Sequence, residues 1–260
     1  MAITELQRQY LDAMGIQVWV QRHSDVPVVT AESVALMTQV PTLPATTESV
    51  HQYPDNIHSN EPLEKQWQRL AYEISQCQAC DQLCQQRTQT VFGVGNQQAD
   101  WMIIGEAPGV DEDRQGEPFV GQAGKLLDEM LLAIGLNRDQ VFIANILKCH
   151  PPKNRDPRSE EVSNCQDYLR RQIALVQPRI IIAVGGIAAQ NLLQTDMPVG
   201  KLRGKKHDYQ CRQAGDAPIP LVVTYHPAYL LRSPAEKGRV WQDLQLARRI
   251  MAERLTDPVA

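Results

Sequence analysis

Long apolar runs are missing from this 260-residue sequence. No stretch approaches the roughly 18 apolar residues that a membrane-spanning helix needs, and no charged start followed by an apolar stretch marks an export signal. Aromatic residues are scarce, at 5%, but hydrophobic residues reach 43%, which excludes a wholly disordered chain. We therefore expect a monomeric cytoplasmic protein with no membrane partner.

A strong excess of either charge is also missing. The chain has 26 Lys and Arg against 30 Asp and Glu, for a formal net charge of −4. That deficit comes from residues 1–60, which hold two Arg, no Lys and six acidic residues. The other 200 residues are balanced, so the composition leaves room for a basic surface that binds nucleic acid.

The first 60 residues contain little that a core can bury. Residues 5–22 repeat apolar side chains at helical spacing, which predicts an amphipathic docking helix within residues 1–23. Residues 24–60 are rich in Thr, Ser, Pro and Gln, with neither Lys nor Gly, which predicts a flexible linker. This N-terminal extension is therefore expected to be mostly disordered, and the folded domain is expected over residues 61–260.

Apolar strands alternate with helices from residue 61 onward. The predicted strands cover residues 101–105, 141–148, 179–186 and 221–227. Because strands buried on both faces form continuous apolar runs, this pattern predicts an α/β fold with a parallel sheet between helices. Ligands of such folds bind beyond the carboxyl ends of the strands.

Six cysteines without an export signal favour metal or redox chemistry over disulfides. Cys77 and Cys80 form a C-x-x-C pair, and Cys149 and Cys165 lie further along the chain. Four thiolates in two groups suit a [4Fe–4S] cluster or a structural zinc ion, and scattered buried thiols are the alternative. Cys84 does not fit this pairing, although it is an alternative to one of the first pair.

Residues that could bind a ligand or take part in catalysis lie at the ends of three of the predicted strands. Gly105 to Gly109 form a turn whose backbone amides can approach a ligand closely, or an ordinary loop. Asn145 and His226 lie at the ends of two other strands, where a structural role is the alternative. Basic residues near these strand ends form either a rim for DNA phosphates or solvated loops.

Several segments together resemble the type 4 uracil-DNA glycosylases, the iron–sulfur members of the uracil-DNA glycosylase superfamily. These segments are GEAPGVDEDRQGEPFVGQAGKLL, ANILKCHPPKNRDP, HPAYLLR and the four-cysteine spacing. The resemblance implies a three-layer α/β/α sandwich around a four-stranded parallel sheet. It also implies an enzyme of base excision repair that flips uracil out of DNA and hydrolyses its N-glycosidic bond, leaving an abasic site.

The resemblance implies the residues that hold the cofactor and the DNA. The ligands of a [4Fe–4S] cluster would be Cys77, Cys80, Cys149 and Cys165. Leu230, Leu231 or Arg232 would insert into the base stack, which makes Leu230 and Arg232 predicted DNA contacts. Independently of the resemblance, the basic residues Arg155, Arg203 and Lys205 are predicted to join Arg232 in the rim for DNA phosphates.

The base pocket is implied in the same way. Phe119 would stack on the flipped uracil, Asn145 would recognise its edge, and His226 would donate a hydrogen bond to O2. The turn residues of the pocket would be Gly105, Glu106 and Ala107.

The water-binding residue is where this sequence departs from the pattern. In the best-known branch of the superfamily, an Asp holds the attacking water, and this chain has Ala107 at that position. The same branch excludes thymine with a Tyr, and this chain has Gly109 there. We therefore expect Glu106 or Glu112 to supply the catalytic carboxylate, with Glu106 preferred. The alternative is a DNA-lesion or replisome-binding module that keeps the fold and the cluster without activity.

Residues 1–25 carry a second resemblance. Met14, Gly15, Ile16, Trp19 and Arg22 are spaced as in the N-terminal peptide of the psi subunit of bacterial DNA polymerase III. In that family the peptide docks on the clamp loader, which implies a replisome partner here. The alternative is a helix that folds back on its own domain.

Overall fold

The structure is a computed structural model that describes residues 8, 9, 12, 61–210 and 217–256. The helix predicted within residues 1–23 and the linker predicted over residues 24–60 lie outside the described residues, apart from three helical positions. These are Arg8, Gln9 and Asp12. No helix in the described ranges is both long and apolar enough to cross a membrane.

Helices and strands alternate through the described domain. The α-helices are α1 (Leu63–Ser75), α2 (Asp81–Gln86), α3 (Val110–Gln115), α4 (Gln122–Ala133), α5 (Ser159–Val176), α6 (Gly186–Leu193), α7 (Val199–Leu202), α8 (Pro227–Arg232) and α9 (Lys237–Thr256). The strands are β1 (Val94–Gly95), β2 (Trp101–Gly105), β3 (Val141–Asn145), β4 (Ile180–Val184), β5 (Lys206–Tyr209) and β6 (Ile219–Thr224).

The strands form one sheet in the order β1-β3-β2-β4-β6-β5. The four central strands are parallel, which confirms the predicted α/β fold. Strands β1 and β5 pair antiparallel at the two edges, so the sheet is mixed and six-stranded rather than purely four-stranded. The sequence pattern missed both edges because β1 is two residues long and β5 is mostly polar, so neither forms an apolar run.

The sheet separates two hydrophobic cores. Alternate side chains of the central strands, such as Ile103 and Met102 of β2, face opposite cores because successive residues of a strand point to opposite faces. Helices α1, α5 and α6 cover one face, and α4 and α9 cover the other. The fold is therefore a three-layer α/β/α sandwich.

Candidate nucleobase pocket at the carboxyl edge of the sheet

The predicted pocket residues lie at the carboxyl ends of the parallel strands. Gly105 ends β2 and Asn145 ends β3, and the two are paired in register. Gly185 follows β4, and a side chain there would lie 3.2 Å from Cβ of His226. Parallel pairing thus brings together residues up to about 120 positions apart in the chain.

The Asn145 amide is buried with an unpaired acceptor. Its side chain is 3% exposed, and its Oδ1 has no hydrogen-bond partner. Its backbone carbonyl, by contrast, accepts a hydrogen bond of 2.8 Å from Nζ of Lys148. Leaving a buried acceptor unpaired costs about 1–3 kcal/mol, so this oxygen is suited to a ligand that brings its own donor.

Phe119 lies close to the other two predicted pocket side chains. A Cβ on Gly105 would lie 2.6 Å from Cζ of the Phe119 ring and would also overlap Oδ1 of Asn145. The Phe119 ring also stacks with that of His226, with centroids 5.6 Å apart and an interplanar angle of 29°. The aromatic ring, the amide and the imidazole thus occupy one place in the fold.

The backbone of Phe119 is strained. Its φ of 57° is left-handed, a conformation that costs a residue with a side chain of the order of 1–3 kcal/mol. Gly124 permits it, because a Cβ there would overlap the Phe119 carbonyl. Strain of this kind persists only where surrounding contacts hold it in place.

The loop that carries Phe119 is held from both sides. Oε1 of Glu112 accepts hydrogen bonds from the amides of Val120 and Gly121 at 3.2 and 3.4 Å. Arg138 donates to the carbonyl oxygen of Phe119 at 3.2 Å and also to that of Pro118. Arg138 was not predicted, because it lies in a 3-10 helix before β3 without any recognisable motif.

His226 caps α8 and remains neutral. The backbone N–H of Ala228 donates to its Nδ1 at 3.2 Å, so the proton of the neutral ring is on Nε2. Burial, assisted by the nearby positive charge of Arg232, lowers the pKa of His226 to about 4. At neutral pH the imidazole is therefore an uncharged donor through Nε2.

Glu106 lies directly beyond β2, in the turn beside Asn145. The main chain is fixed there, since the Leu147 amide donates to the Glu106 carbonyl at 3.0 Å. Burial, reinforced by the negative charge of Asp156, raises the pKa of Glu106 to about 7. Ala107, next to it, packs against the core as a partly buried side chain and offers no polar group.

The cysteines of the described ranges gather around Arg87 and α5. Arg87 donates to Sγ of Cys149 at 3.0 Å and to the carbonyl of Cys77 at 2.6 Å. Asn164, beside Cys165 on α5, lies 3.5 Å from Sγ of Cys80. Within the described residues, no three His, Cys, Asp or Glu side chains are arranged as ligands of one metal ion.

The chemistry of this thiol group nevertheless fits an iron–sulfur cluster. Burial raises the pKa of Cys149 to about 11 and that of Cys165 to about 12, and neighbouring cysteines add to both shifts. The thiols are therefore close enough to influence one another. A donor set of sulfur alone is the set that such clusters use.

Three of the predicted DNA contacts are engaged inside the protein. The Arg203 side chain is 14% exposed and pairs with both carboxylate oxygens of buried Asp243, at 3.0 and 2.8 Å. Leu230 is 1% exposed and lies in the core, and Arg155 pairs with Glu161 at 2.5 Å. Internal contacts thus occupy the side chains of Arg203 and Leu230 in the free protein, and their contact with DNA stays a prediction.

The remaining predicted contacts are at the surface. Lys205 and Arg232 are exposed, and so is Leu231, at 48%. Two surface cavities of about 250 and 400 Å³ lie elsewhere, along α5 and α6. No predicted site residue lines either cavity, so the candidate site remains the carboxyl edge of the sheet.

Comparison with known proteins shows the family of this chain. The model of the uracil DNA glycosylase superfamily matches residues 92–245. A type-4 uracil-DNA glycosylase of Archaeoglobus fulgidus is 47% identical over 169 residues, which are 64% of this chain and 83% of that protein. The corresponding type-4 protein of Pyrobaculum aerophilum is 43% identical over 195 residues, covering 74% of this chain and 97% of the relative.

A type-5 relative is less similar. The type-5 uracil-DNA glycosylase of the same organism, Pyrobaculum aerophilum, is 33% identical over 152 residues, which cover 52% of this chain and 64% of that protein. The chain thus belongs to the uracil-DNA glycosylase superfamily and, within it, to the type-4 uracil-DNA glycosylases.

Proposed function

We propose that this protein removes uracil from DNA by hydrolysing the N-glycosidic bond, leaving an abasic site for base excision repair. The observation that carries the proposal is the unpaired, buried Oδ1 of Asn145, beside the ring of Phe119. A flat base could stack on the Phe119 ring and donate a hydrogen bond to the unpaired Oδ1 of Asn145. Uracil offers such a donor at N3.

Asn145 explains why uracil would be accepted and cytosine rejected. Uracil presents a donor at N3 and an acceptor at O4, which match the oxygen and the NH2 group of a fixed amide. Cytosine presents the opposite pattern at both positions, so binding would leave buried polar groups unpaired. Mismatches of this kind support strong discrimination.

His226 would stabilise the departing base. Cleavage leaves negative charge on uracil, and a donor already oriented toward O2 lowers the barrier without reorganisation. The neutral Nε2–H of His226 fits this task, because its Nδ1 is held by the Ala228 amide. One such donor contributes about 3–4 kcal/mol of transition-state stabilisation.

Glu106 is the residue that we assign to the attacking water. It has the raised pKa of a partly buried carboxyl group, and Ala107 cannot hold water through its side chain. Glu112 is a weaker candidate, since its Oε1 already accepts two backbone hydrogen bonds. We therefore assign Glu112 a positioning role in the loop of Phe119.

This assignment predicts a pH dependence. The ionised Glu106 is the active form, so kcat/KM should fall about tenfold per pH unit below the pKa of about 7. This fall in kcat/KM toward low pH is the acid limb of the profile. His226 does not cause it, because its pKa of about 4 keeps the imidazole neutral over the pH range of the assay. Single-turnover rates between pH 5 and pH 9 measure the profile.

Two variants separate the causes of that profile. Glu106→Gln should lower the rate and abolish the acid limb. Asp156→Asn removes a neighbouring negative charge, so the pKa of Glu106 should fall and the limb should move to lower pH. If Glu106→Gln keeps the same acid limb, the titrating group is a residue other than Glu106.

DNA would lie across the exposed end of α8. We propose Arg232 and Lys205 as phosphate contacts, since both are exposed and basic. Leu231 takes the inserting role predicted for the Leu230–Arg232 turn, because it is exposed and Leu230 is not. An apolar side chain of this type can fill the space that a flipped nucleotide leaves.

We further propose that Cys77, Cys80, Cys149 and Cys165 hold a [4Fe–4S] cluster. When bound, the cluster supplies a structural cross-link between the segment before β1 and the loop after β3. Soft donors and their mutual proximity support this set. The reduced thiols and the DNA substrate both suit the cytoplasmic location predicted from the sequence.

The cluster has a direct spectroscopic test. Protein purified without air should be brown and contain about four iron atoms per chain; a colourless zinc protein would contradict the assignment. Cys149→Ser should lose iron and unfold at a lower temperature. Cys84→Ser is the matched control and should keep its iron, because Cys84 is not among the four proposed ligands.

Release of uracil tests the function itself. A single-uracil oligonucleotide should be cut at that position after treatment with protein and then alkali, and a thymine-containing control should stay intact. Binding without strand cleavage would favour the alternative, a DNA-lesion or replisome-binding module that has lost its activity.

The N-terminal segment supplies a separate proposal, that a monomeric enzyme is tethered to the clamp loader. The psi-like spacing around Trp19 supports it, since an aromatic residue in a segment with the pattern of an amphipathic helix suits docking in a groove. A peptide of residues 1–25 should bind clamp loader saturably, and Trp19→Ala should weaken binding. Absence of saturable binding would rule out this partner.

A further inference from the structure

We infer that Arg138 is a positioning residue that holds the ring of Phe119 in the base pocket. The inference deepens the proposed function and rests on it for its kinetic test. It concerns a side chain outside every motif discussed so far, in the 3-10 helix Arg138–Gln140 that leads into β3.

The first support is the left-handed backbone of Phe119. With a φ of 57°, this residue is in a conformation that a side chain disfavours and that persists only where surrounding contacts hold it. This conformation places the ring against His226 and close to the Asn145 amide. The contacts that hold the backbone of Phe119 therefore also set the position of its ring.

The second support is the fork of hydrogen bonds from Arg138. One terminal nitrogen donates to the Phe119 carbonyl at 3.2 Å, and the other donates to that of Pro118. Two successive carbonyls are thus bound by one rigid, planar group, which restrains the peptide between them. A lysine ammonium lacks this planar fork and cannot reproduce the geometry.

The third support is that Arg138 is itself fixed. It pairs with Asp128 of α4 at 3.1 Å, and its side chain is 23% exposed. It also lies only three residues before β3, the strand that ends at Asn145. The segment that supplies the base-recognition amide therefore also supplies the group that orients the stacking ring.

Glu112 and Gly124 complete the restraint but do not replace Arg138. Glu112 accepts from the two amides that follow Phe119, and Gly124 permits close approach of its carbonyl. Among the described residues, Arg138 is the side chain that donates a hydrogen bond to the Phe119 carbonyl. Its removal should release the ring while the rest of the loop stays attached.

A double-mutant cycle with Phe119→Leu tests the inference. Arg138→Met keeps the length of the side chain but removes its donors, and it should lower kcat/KM for uracil release about 10- to 100-fold. In the Phe119→Leu background the same change should cost less than about threefold, because its target is gone. Equal losses in both backgrounds would overturn the inference.

Inhibition by free uracil provides a second kinetic readout. Arg138→Met should weaken uracil binding by a factor similar to its loss in kcat/KM, and Arg138→Lys should fall between it and the unmodified protein. Arg179→Met is the matched control: Arg179 also pairs with an aspartate, Asp100, at 3.2 Å, but at the amino end of the sheet. It should stay within about twofold of the unmodified protein.

A structural readout keeps this inference distinct from the proposed function. The chain has three phenylalanines, so fluorophenylalanine labelling should give three fluorine NMR resonances, with that of Phe119 identified by Phe119→Leu. Arg138→Met should shift or broaden the Phe119 resonance and leave those of Phe92 and Phe142 in place. An unchanged Phe119 resonance, or collapse of all three in both Arg138→Met and Arg138→Lys, would overturn the inference.

If the unmodified protein releases no uracil but the Phe119 resonance responds selectively, the proposed function fails and the positioning role stands. If uracil is released and neither the resonance nor the cycle responds, the positioning role fails alone.

Discussion

Asn145→Asp is expected to lower the rate of uracil release by about 10²- to 10³-fold, the usual cost of losing one oriented donor. The aspartate cannot donate to O4, and its charge opposes the negative charge that develops on the base. Cytosine should gain in relative rate, because a carboxylate accepts from its amino group. Single-turnover assays on matched uracil and cytosine oligonucleotides measure both effects.

A surface asparagine provides the control for this substitution. Oδ1 of Asn96 accepts from the Gln98 amide at 2.9 Å, and an aspartate can accept the same bond. Asn96→Asp should therefore leave both rates near those of the unmodified protein. Unchanged kinetics of Asn145→Asp on both bases would mean that Asn145 does not recognise the base.

Gly105→Ala is expected to lower uracil release by about 10²-fold or more, while the protein stays folded. The added methyl would lie 2.6 and 2.8 Å from two carbons of the Phe119 ring and would overlap Oδ1 of Asn145. Both groups would have to move, and displacement of about 1 Å within a catalytic site can cost 10²-fold. Weaker inhibition by free uracil should accompany the loss.

A second glycine-to-alanine substitution, away from the pocket, is the control for Gly105→Ala. It separates the effect of filling the pocket from the general effect of replacing a glycine in the backbone. Gly238 lies in α9, and a Cβ there meets nothing within 4 Å. Gly238→Ala should keep full activity and slightly raise the melting temperature, because alanine favours a helix over glycine. Full activity of Gly105→Ala would show that uracil does not bind beside this strand end.

Much of the fold could be predicted from local patterns. The four parallel strands are continuous apolar segments, since both of their faces are buried. Three predicted segments contain an observed strand, and the fourth, residues 221–227, overlaps the strand Ile219–Thr224. The edge strands β1 and β5 could not be predicted in this way. Each is short or polar and exists only because a neighbouring strand offers it hydrogen-bonding groups.

Side-chain roles were less predictable. Arg203 and Leu230 look suited to DNA contact by residue type and position, yet Asp243 holds the first and the core holds the second. Asp113, an acidic residue in the segment after Gly109, is buried and accepts hydrogen bonds from the Thr88 amide at 3.1 and 2.8 Å, a role that its residue type does not indicate. Such roles depend on partners far along the chain.

The sequence by itself determined the layer architecture and the family, because periodicity and motif spacing are local properties of a chain. Only the tertiary structure decided that Asn145 keeps an unpaired acceptor, that Phe119 adopts a left-handed backbone, and that Arg138 holds its carbonyl. The physical reason is that hydrogen bonding and strain depend on which distant groups meet when the sheet and helices pack together.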